Sequence, residues 1–288
     1  MTPGEAAPAP QRGLLASREF HTRLVSAILL GAMVLFALVL GGWPFAVIWL
    51  AAGIVFAAEW IGMSAVAPRR LVLALTAITL FGLVLCLHGD VAPGISLGVG
   101  AVGAALVAAV AHGGAGRGRA LAGLASAAVI ALVPTALRDD PAIGILGPAW
   151  MFAVVWSTDI AAYFAGRKIG GPKLMPRVSP NKTWSGAIGG LVGAVAAGSL
   201  VAVAADLTGL DLPSAASLPV VAGVSALASV LSQAGDLVES GLKRRYGVKD
   251  SGKIIPGHGG VMDRLDGFFA VAVLAGLYLA LRGSGLIP

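Results

Sequence analysis

The sequence predicts an all-α, polytopic integral membrane protein with about nine transmembrane helices and a cytoplasmic N-terminus. Three observations support this fold class. The 288 residues are 57% hydrophobic and only 12% charged, about half the charged fraction of a soluble domain. Apolar segments long enough to cross a bilayer recur along the chain. Finally, Lys and Arg concentrate in alternate connecting segments, as the positive-inside rule requires.

Nine segments approach the roughly 20 apolar residues that a spanning helix needs. They are 24–41, 44–61, 71–88, 92–112, 119–137, 143–166, 186–205, 217–240 and 265–282. Residues 1–23 are rich in Ala and Pro and are expected to form a flexible cytoplasmic tail. A secretory signal is disfavoured because the following apolar run is too long. We therefore divide the chain into this tail, an N-terminal membrane scaffold (24–140) and a C-terminal membrane region (141–288) that is expected to carry the functional groups.

The cations give the orientation. With the N-terminus inside, all of the 20 Lys and Arg residues except Arg138 and Arg282 fall on the cytoplasmic side. The net charge of +6 thus indicates membrane orientation rather than nucleic-acid binding. We expect a multi-pass protein of the inner (cytoplasmic) membrane, with any functional site on the cytoplasmic face. The single cysteine excludes an intrachain disulfide.

The first five spans carry almost no charge and are interpreted as scaffold or lipid-facing surface. In the seventh, GAIGGLVG spaces glycines four apart, a pattern that lets another helix approach closely. The sixth contains Asp159, and a carboxylate within a span is costly. It either makes a structural hydrogen bond to a neighbouring helix or forms the wall of a polar pocket.

The connection Gly166–Gly186 is predicted to be a basic loop with five cations and no acid. One interpretation is a juxtamembrane segment attracted to anionic lipid head groups. The other is that Ser179, Asn181 and Lys182 bind phosphate oxygens. Composition alone does not separate them.

The eighth and ninth spans flank the densest group of charges. If the eighth helix continues through Lys243, then Asp236, Glu239 or Ser240, and Lys243 share one helical face. A Gly- and Pro-rich turn follows, and Asp263 and Asp266 open the ninth helix. Carboxylates that converge beside cations are typical of a site that binds Mg²⁺ and phosphate. The alternative is a solvated charge run, which accounts poorly for the interleaved acids and glycines.

These residues carry a resemblance to a known family. The pattern SGLKRRYGVKDSGKIIPGHGGVMDRLD (240–266) resembles the signature of phosphatidate cytidylyltransferases, and GDLVES (235–240), SPNKT (179–183) and DIAAY (159–163) are also similar to that family. The resemblance covers roughly the last 130 residues. It implies that CTP and phosphatidic acid react to give CDP-diacylglycerol and pyrophosphate, with Mg²⁺, in a membrane-embedded protein that is commonly a homodimer.

The resemblance, with the chemistry of the residues, gives each group an expected role. Asp236, Lys243 and Asp263 are expected to be catalytic, and Asp236 and Asp263 to hold one or two Mg²⁺ ions. Residues expected to bind substrate are Ser179, Asn181, Lys182, Arg244, Lys249, His258 and Arg264. Supporting roles are expected for Asp159, Glu239, Ser240, Asp250 and Asp266. The partners are CTP, phosphatidic acid, membrane lipid and a second copy of the chain, and nucleic acid is not expected.

Two other functions share some of these sequence features. A cytidylyltransferase for another lipid phosphate would use the same catalytic cluster and differ only in the surfaces facing the lipid. A secondary transporter also has broken helices and intramembrane acids. Transporters usually show paired halves and a midplane site, however, whereas this chain has one charged half.

Overall fold

A computed structural model describes residues 12–89, 91–210, 216–257 and 259–286. This part of the chain contains nine helices: α1 (Arg12–Leu40), α2 (Gly42–Met63), α3 (Arg69–His88), α4 (Pro93–Val110), α5 (Gly114–Asp139), α6 (Leu146–Ile169), α7 (Trp184–Thr208), α8 (Leu218–Arg245) and α9 (Met262–Gly283). Seven of them, all except α1 and α6, are long and apolar enough to cross a membrane. The predicted all-α polytopic fold is confirmed.

Each predicted span overlaps one helix, but two helices differ from expectation. Helix α1 begins at Arg12, so residues 12–23, which were assigned to the tail, are helical. The rest of the tail lies outside the described residues. The apolar part of α1, Leu24–Leu40, is shorter than a usual span. Helix α6 carries Asp159 and its polar neighbours Ser157 and Thr158 in its middle, which lowers its hydropathy.

The basic connection after α6 is a β-hairpin rather than the predicted loop. Strands β1 (Lys173–Met175) and β2 (Ser179–Thr183) pair antiparallel, with Lys173 opposite Thr183. Thr183 then caps α7, because its Oγ1 accepts a hydrogen bond of 3.1 Å from the Gly186 N–H. The hairpin thereby attaches the basic residues firmly to the start of α7.

Helices α6 and α7 pack closely through the glycine face of α7. A Cβ atom at Gly190 would lie 2.9 Å from the Thr158 carbonyl oxygen, and one at Gly193 would lie 3.1 Å from that of Ser157. Only glycine allows this approach. The close approach that the glycine spacing allows is thus present between α6 and α7, and it positions the segment of α6 that carries Asp159.

An aromatic stack joins the scaffold to the C-terminal helices. Trp49 of α2 stacks on Phe268 of α9 with ring centroids 4.8 Å apart, and Phe152 of α6 lies 5.7 Å from Phe268. All three side chains are buried. Since lipid tails are as apolar as these rings, the stabilisation comes from close packing rather than from removal of water. The stack joins α2 to α6 and α9, two of the helices that carry acids of the site.

Candidate active site

The centre of the site is a cation on α8 that lies between two acids. Lys243 Nζ is 2.7 Å from Asp263 Oδ1 and 3.1 Å from Glu239 Oε1. The contact between Lys243 and Asp263 has the geometry of a hydrogen bond. The contact between Lys243 and Glu239 is close enough for an ion pair but does not have hydrogen-bond geometry. Helix α8 does continue through Lys243, and the predicted polar face is confirmed by these contacts and by the Ser240 hydroxyl, which donates to Asp236 Oδ1 at 3.3 Å.

Asp263 ties the glycine-rich turn to the start of α9. Its Oδ2 accepts hydrogen bonds from the Ser251 N–H at 2.9 Å, the Ser251 hydroxyl at 3.0 Å and the Gly260 N–H at 2.8 Å. The turn is closed by the Ile255 N–H, which donates to the Gly259 carbonyl oxygen at 2.9 Å. Both carboxylate oxygens of Asp263 therefore have partners: Oδ2 binds the turn, and Oδ1 binds Lys243.

The register between α8 and α9 decides which acids face each other. A Cβ atom at Gly235 would lie 2.7 Å from the Asp266 carbonyl oxygen, so Asp266 lies level with Gly235 and Asp236. The Lys243 ammonium group reaches Asp263, which lies one turn before Asp266 at the start of α9. Asp266, for which only a supporting role was expected, is thus brought to the level of Asp236, while Asp263 pairs with Lys243.

Three carboxylates form a cluster at this deeper level. Asp159 of α6 interacts electrostatically with Asp236, and Asp266 interacts with both of them. The Asp159 side chain is exposed at the surface of the described structure. Lys182 of the hairpin forms an ion pair with Asp236, and both Lys182 and Arg264 offset the charge of Asp159. The wall of a polar pocket stays a prediction for Asp159.

The fit of these acids to Mg²⁺ follows from their chemistry. Among the described residues, no three His, Cys, Asp or Glu side chains are arranged as a metal-binding group. Mg²⁺ commonly takes one or two carboxylates and completes its shell with water and phosphate oxygens. Asp236 and Asp266 interact electrostatically and have acceptor capacity left, so the chemistry of these donors suits this ion. Asp263 contributes only if a contact to Lys243 is exchanged.

The other predicted site residues have diverse positions. Asn181, Arg244, Lys249, Asp250 and Arg264 are exposed, and Ser179 is half-buried at the start of β2. His258 lies outside the described residues. The structure therefore brings Lys182 into the acid cluster, and it leaves the exposed cations near the turn with access to a polyanionic ligand.

Sequence reasoning missed Glu59 of α2. Its side chain is 5% exposed, and it accepts hydrogen bonds from the Val261 N–H at 3.0 Å and the Met262 N–H at 2.8 Å. The assignment of the first five spans to scaffold was therefore incomplete. The available signal was that Glu59 is the only acid within those five predicted spans, where an ionisable residue is usually functional.

Two cavities adjoin these groups. One, of about 520 Å³, lies among α2, α5, α8 and α9; its lining is mainly apolar, with Glu239 and Asp266 as its acids. The other, of about 400 Å³, lies between the end of α2 and the turn, where Arg69 and Lys253 line it. Charged groups and hydrocarbon surface are thus adjacent at one end of the bundle, an arrangement suited to an amphipathic ligand.

Residues 21–282 match the family described as "Cytidylyltransferase family". The chain is 43% identical over 272 residues to "Phosphatidate cytidylyltransferase" of Brucella suis, which covers 93% of this chain and 96% of the relative. It is 44% identical over 265 residues to the protein of the same name in Brucella abortus, covering 91% and 93%. A Staphylococcus aureus protein with that name is 45% identical over 130 residues, covering 45% and 47%.

Proposed function

The chain belongs to the cytidylyltransferase family, and we propose that it transfers the cytidylyl group of CTP to phosphatidic acid. A phosphate oxygen of the lipid attacks the α-phosphorus of CTP and forms a new P–O bond. The bond from that phosphorus to the oxygen bridging to the β-phosphate breaks, and pyrophosphate leaves with the electron pair. The products are CDP-diacylglycerol and pyrophosphate.

One observation carries this proposal: relatives named for this activity match the chain at 43–44% identity over nearly its whole length. The site chemistry supports it. Both substrates are polyanions, so the barrier is mainly their repulsion and alignment. Lys243, held by Asp263, offers a positioned cation, and the apolar cavity beside Asp266 offers hydrocarbon surface to a lipid.

We propose that Mg²⁺ assists and that Asp236 holds it, with Asp266 or Asp263 as the second carboxylate. The bound ion would neutralise phosphate charge. Lys182, Arg244, Lys249 and Arg264 are proposed to hold phosphate oxygens that the ion leaves uncovered, together with Ser179, Asn181 and His258. Lys182 would exchange its ion pair with Asp236 for substrate oxygens.

We also propose that the protein is a homodimer of the inner (cytoplasmic) membrane, with the site on the cytoplasmic face. The cation distribution supports this orientation. Arg138 and Arg282, the two exceptions, have local partners: Arg138 Nε donates to the Leu38 carbonyl oxygen at 2.9 Å, and Arg282 pairs with Asp140 at 2.8 Å. Light scattering in detergent tests the dimer: a mass of one chain after subtraction of detergent would contradict it.

The decisive experiment follows pyrophosphate release by the purified protein with CTP, phosphatidic acid and Mg²⁺, and identifies the lipid product by mass spectrometry. We expect CDP-diacylglycerol in a one-to-one ratio with pyrophosphate. Product from another lipid phosphate but none from phosphatidic acid would replace the lipid substrate in this proposal. The absence of product with every lipid phosphate would overturn the proposal.

A further inference from the structure

Glu59 connects the scaffold to the turn that precedes α9. It lies on α2, in a span whose other buried residues are apolar or glycine. An ionisable group within a membrane span is energetically costly. A further negative charge near two polyanionic substrates also does not help them bind. The residue therefore requires a different explanation, which its hydrogen bonds supply.

Both oxygens of Glu59 accept hydrogen bonds from the start of α9. Oε1 accepts from the Val261 N–H and Oε2 from the Met262 N–H, contacts that span 202 and 203 residues of sequence. The first N–H groups of a helix have no partner within the helix, and a carboxylate there is favoured by the helix dipole. Glu59 thus caps α9 from another helix.

Ser251 extends this connection to the active-site acid. Its Oγ lies 3.0 Å from Glu59 Oε2 and 3.0 Å from Asp263 Oδ2. A hydroxyl has a single hydrogen, so the two carboxylates share it, and Ser251 also donates its N–H to Asp263 at 2.9 Å. Gly252 and Gly260 lie against Glu59 with no room for a side chain. A continuous series of hydrogen bonds therefore links Glu59 to Ser251, Ser251 to Asp263 and Asp263 to Lys243.

We propose that Glu59 is a positioning residue for cytidylyl transfer, one that fixes Lys243 through Ser251 and Asp263. The proposal rests on the proposed function. Asp263 cannot hold Lys243 in a defined place unless its own position is defined, and three of its four hydrogen bonds come from the turn that Glu59 anchors. Glu59 itself touches neither Lys243 nor the Asp159–Asp236–Asp266 cluster in the contacts described.

The test compares Glu59→Gln, Ser251→Ala and the double variant with the wild-type protein. Glutamine has the shape of glutamate, but its NH₂ group would face either the Val261 or the Met262 N–H, so one hydrogen bond is lost in any orientation. Thr135→Val is the matched control, because it removes a buried hydroxyl of α5 that donates to its own helix at 3.1 Å. Steady-state kinetics with CTP and phosphatidic acid and hydrogen exchange of peptides covering 250–262 are measured for each.

We expect Glu59→Gln to lower kcat about tenfold or more with the KM for CTP changed less than about threefold, because Lys243 acts mainly on the transition state. Exchange across 250–262 should be about tenfold faster. The double variant should be little worse than Glu59→Gln, since both changes break one network. Thr135→Val should leave kcat within about twofold even if it lowers the melting temperature.

Three outcomes would overturn the proposal: unchanged exchange across 250–262, a kcat within twofold of wild type despite faster exchange, or independent multiplicative effects in the double variant. If Glu59→Gln does not fold, Ser251→Ala with the same readouts decides. A wild-type protein that makes no CDP-diacylglycerol refutes the proposed function instead. The exchange data then decide alone whether Glu59 orders the turn.

Discussion

Lys243 Nζ lies 2.7 Å from Asp263 Oδ1 and joins the last turn of α8 to the first turn of α9. The two residues are 20 apart in sequence and are separated by the glycine-rich turn. Because Asp263 is held by that turn through its other oxygen, the ammonium group is positioned by the turn as well as by Glu239 of its own helix.

Replacing Lys243 by Gln should remove the positioned positive charge and leave Asp263 with a neutral partner. We expect kcat for pyrophosphate release to fall at least about a hundredfold, which corresponds to about 2.7 kcal/mol of transition-state stabilisation. Arg245→Gln is the control, because Arg245 is an exposed cation two residues further along the same helix. Equal losses in the two variants would show that net charge, rather than position, matters.

Asp236→Asn should weaken the use of Mg²⁺. The change removes one negative charge from the cluster with Asp159 and Asp266 and releases Lys182 from its ion pair. We expect the Mg²⁺ concentration at half-maximal activity to rise at least about tenfold, while chelation abolishes wild-type activity reversibly. Asp206→Asn, at an exposed acid of α7, should leave the titration unchanged. An unaltered Mg²⁺ titration for Asp236→Asn would remove this residue from the metal site.

Gly190→Ala should separate α6 from α7. Its new Cβ would lie 2.9 Å from the Thr158 carbonyl oxygen, a backbone atom that cannot move alone. We expect a melting temperature in detergent lower by several degrees and reduced activity, because Asp159 follows Thr158 on α6. Gly223→Ala, which meets nothing within 4 Å, should be neutral or slightly stabilising. A neutral Gly190→Ala would mean that the two helices are not in this contact in the membrane.

Arg282→Ala should leave turnover within about twofold of wild type. Arg282 lies in the last turn of α9, at the opposite end of that helix from Asp263, and binds Asp140 with two contacts of 2.8 Å. A small loss of thermal stability is expected because the ion pair is partly exposed. Turnover assays and melting curves on the same preparation check both statements. A large loss of activity would contradict the assignment of this end of the bundle to the side away from the site.

Asp140 should make stability depend on acid pH. Burial opposes ionisation of Asp140, but the Arg282 guanidinium and the N–H groups of Ala142 and Ile143 more than offset it and lower the pKa of this carboxyl. The contribution of ionised Asp140 to the free energy of unfolding is therefore complete above its pKa in the unfolded chain, about 3.9. It is lost as the pH falls through the lower pKa of the folded protein. The difference in melting temperature between wild type and Asp140→Asn should be constant above about pH 5 and shrink below about pH 4. A difference that stays constant down to pH 3 would contradict this.

The sequence by itself determined the membrane helices, because a span is defined locally by roughly 20 apolar residues. It also determined the polar face of α8, since residues three, four and seven apart on a helix share a side wherever that helix packs. The pattern from Ser240 to Asp266 located the segment that we propose to be catalytic for the same reason: the residues are close in sequence, and a turn between two helices brings them together.

Only the tertiary structure decided which acids face each other and what anchors the turn. Asp236 and Asp266 lie at the same level because of the register of α8 against α9, which the close approach at Gly235 sets. Glu59 reaches Met262 across 203 residues. Neither relationship has a local pattern, because helix register and contacts between distant spans are fixed by side-chain packing across the whole bundle.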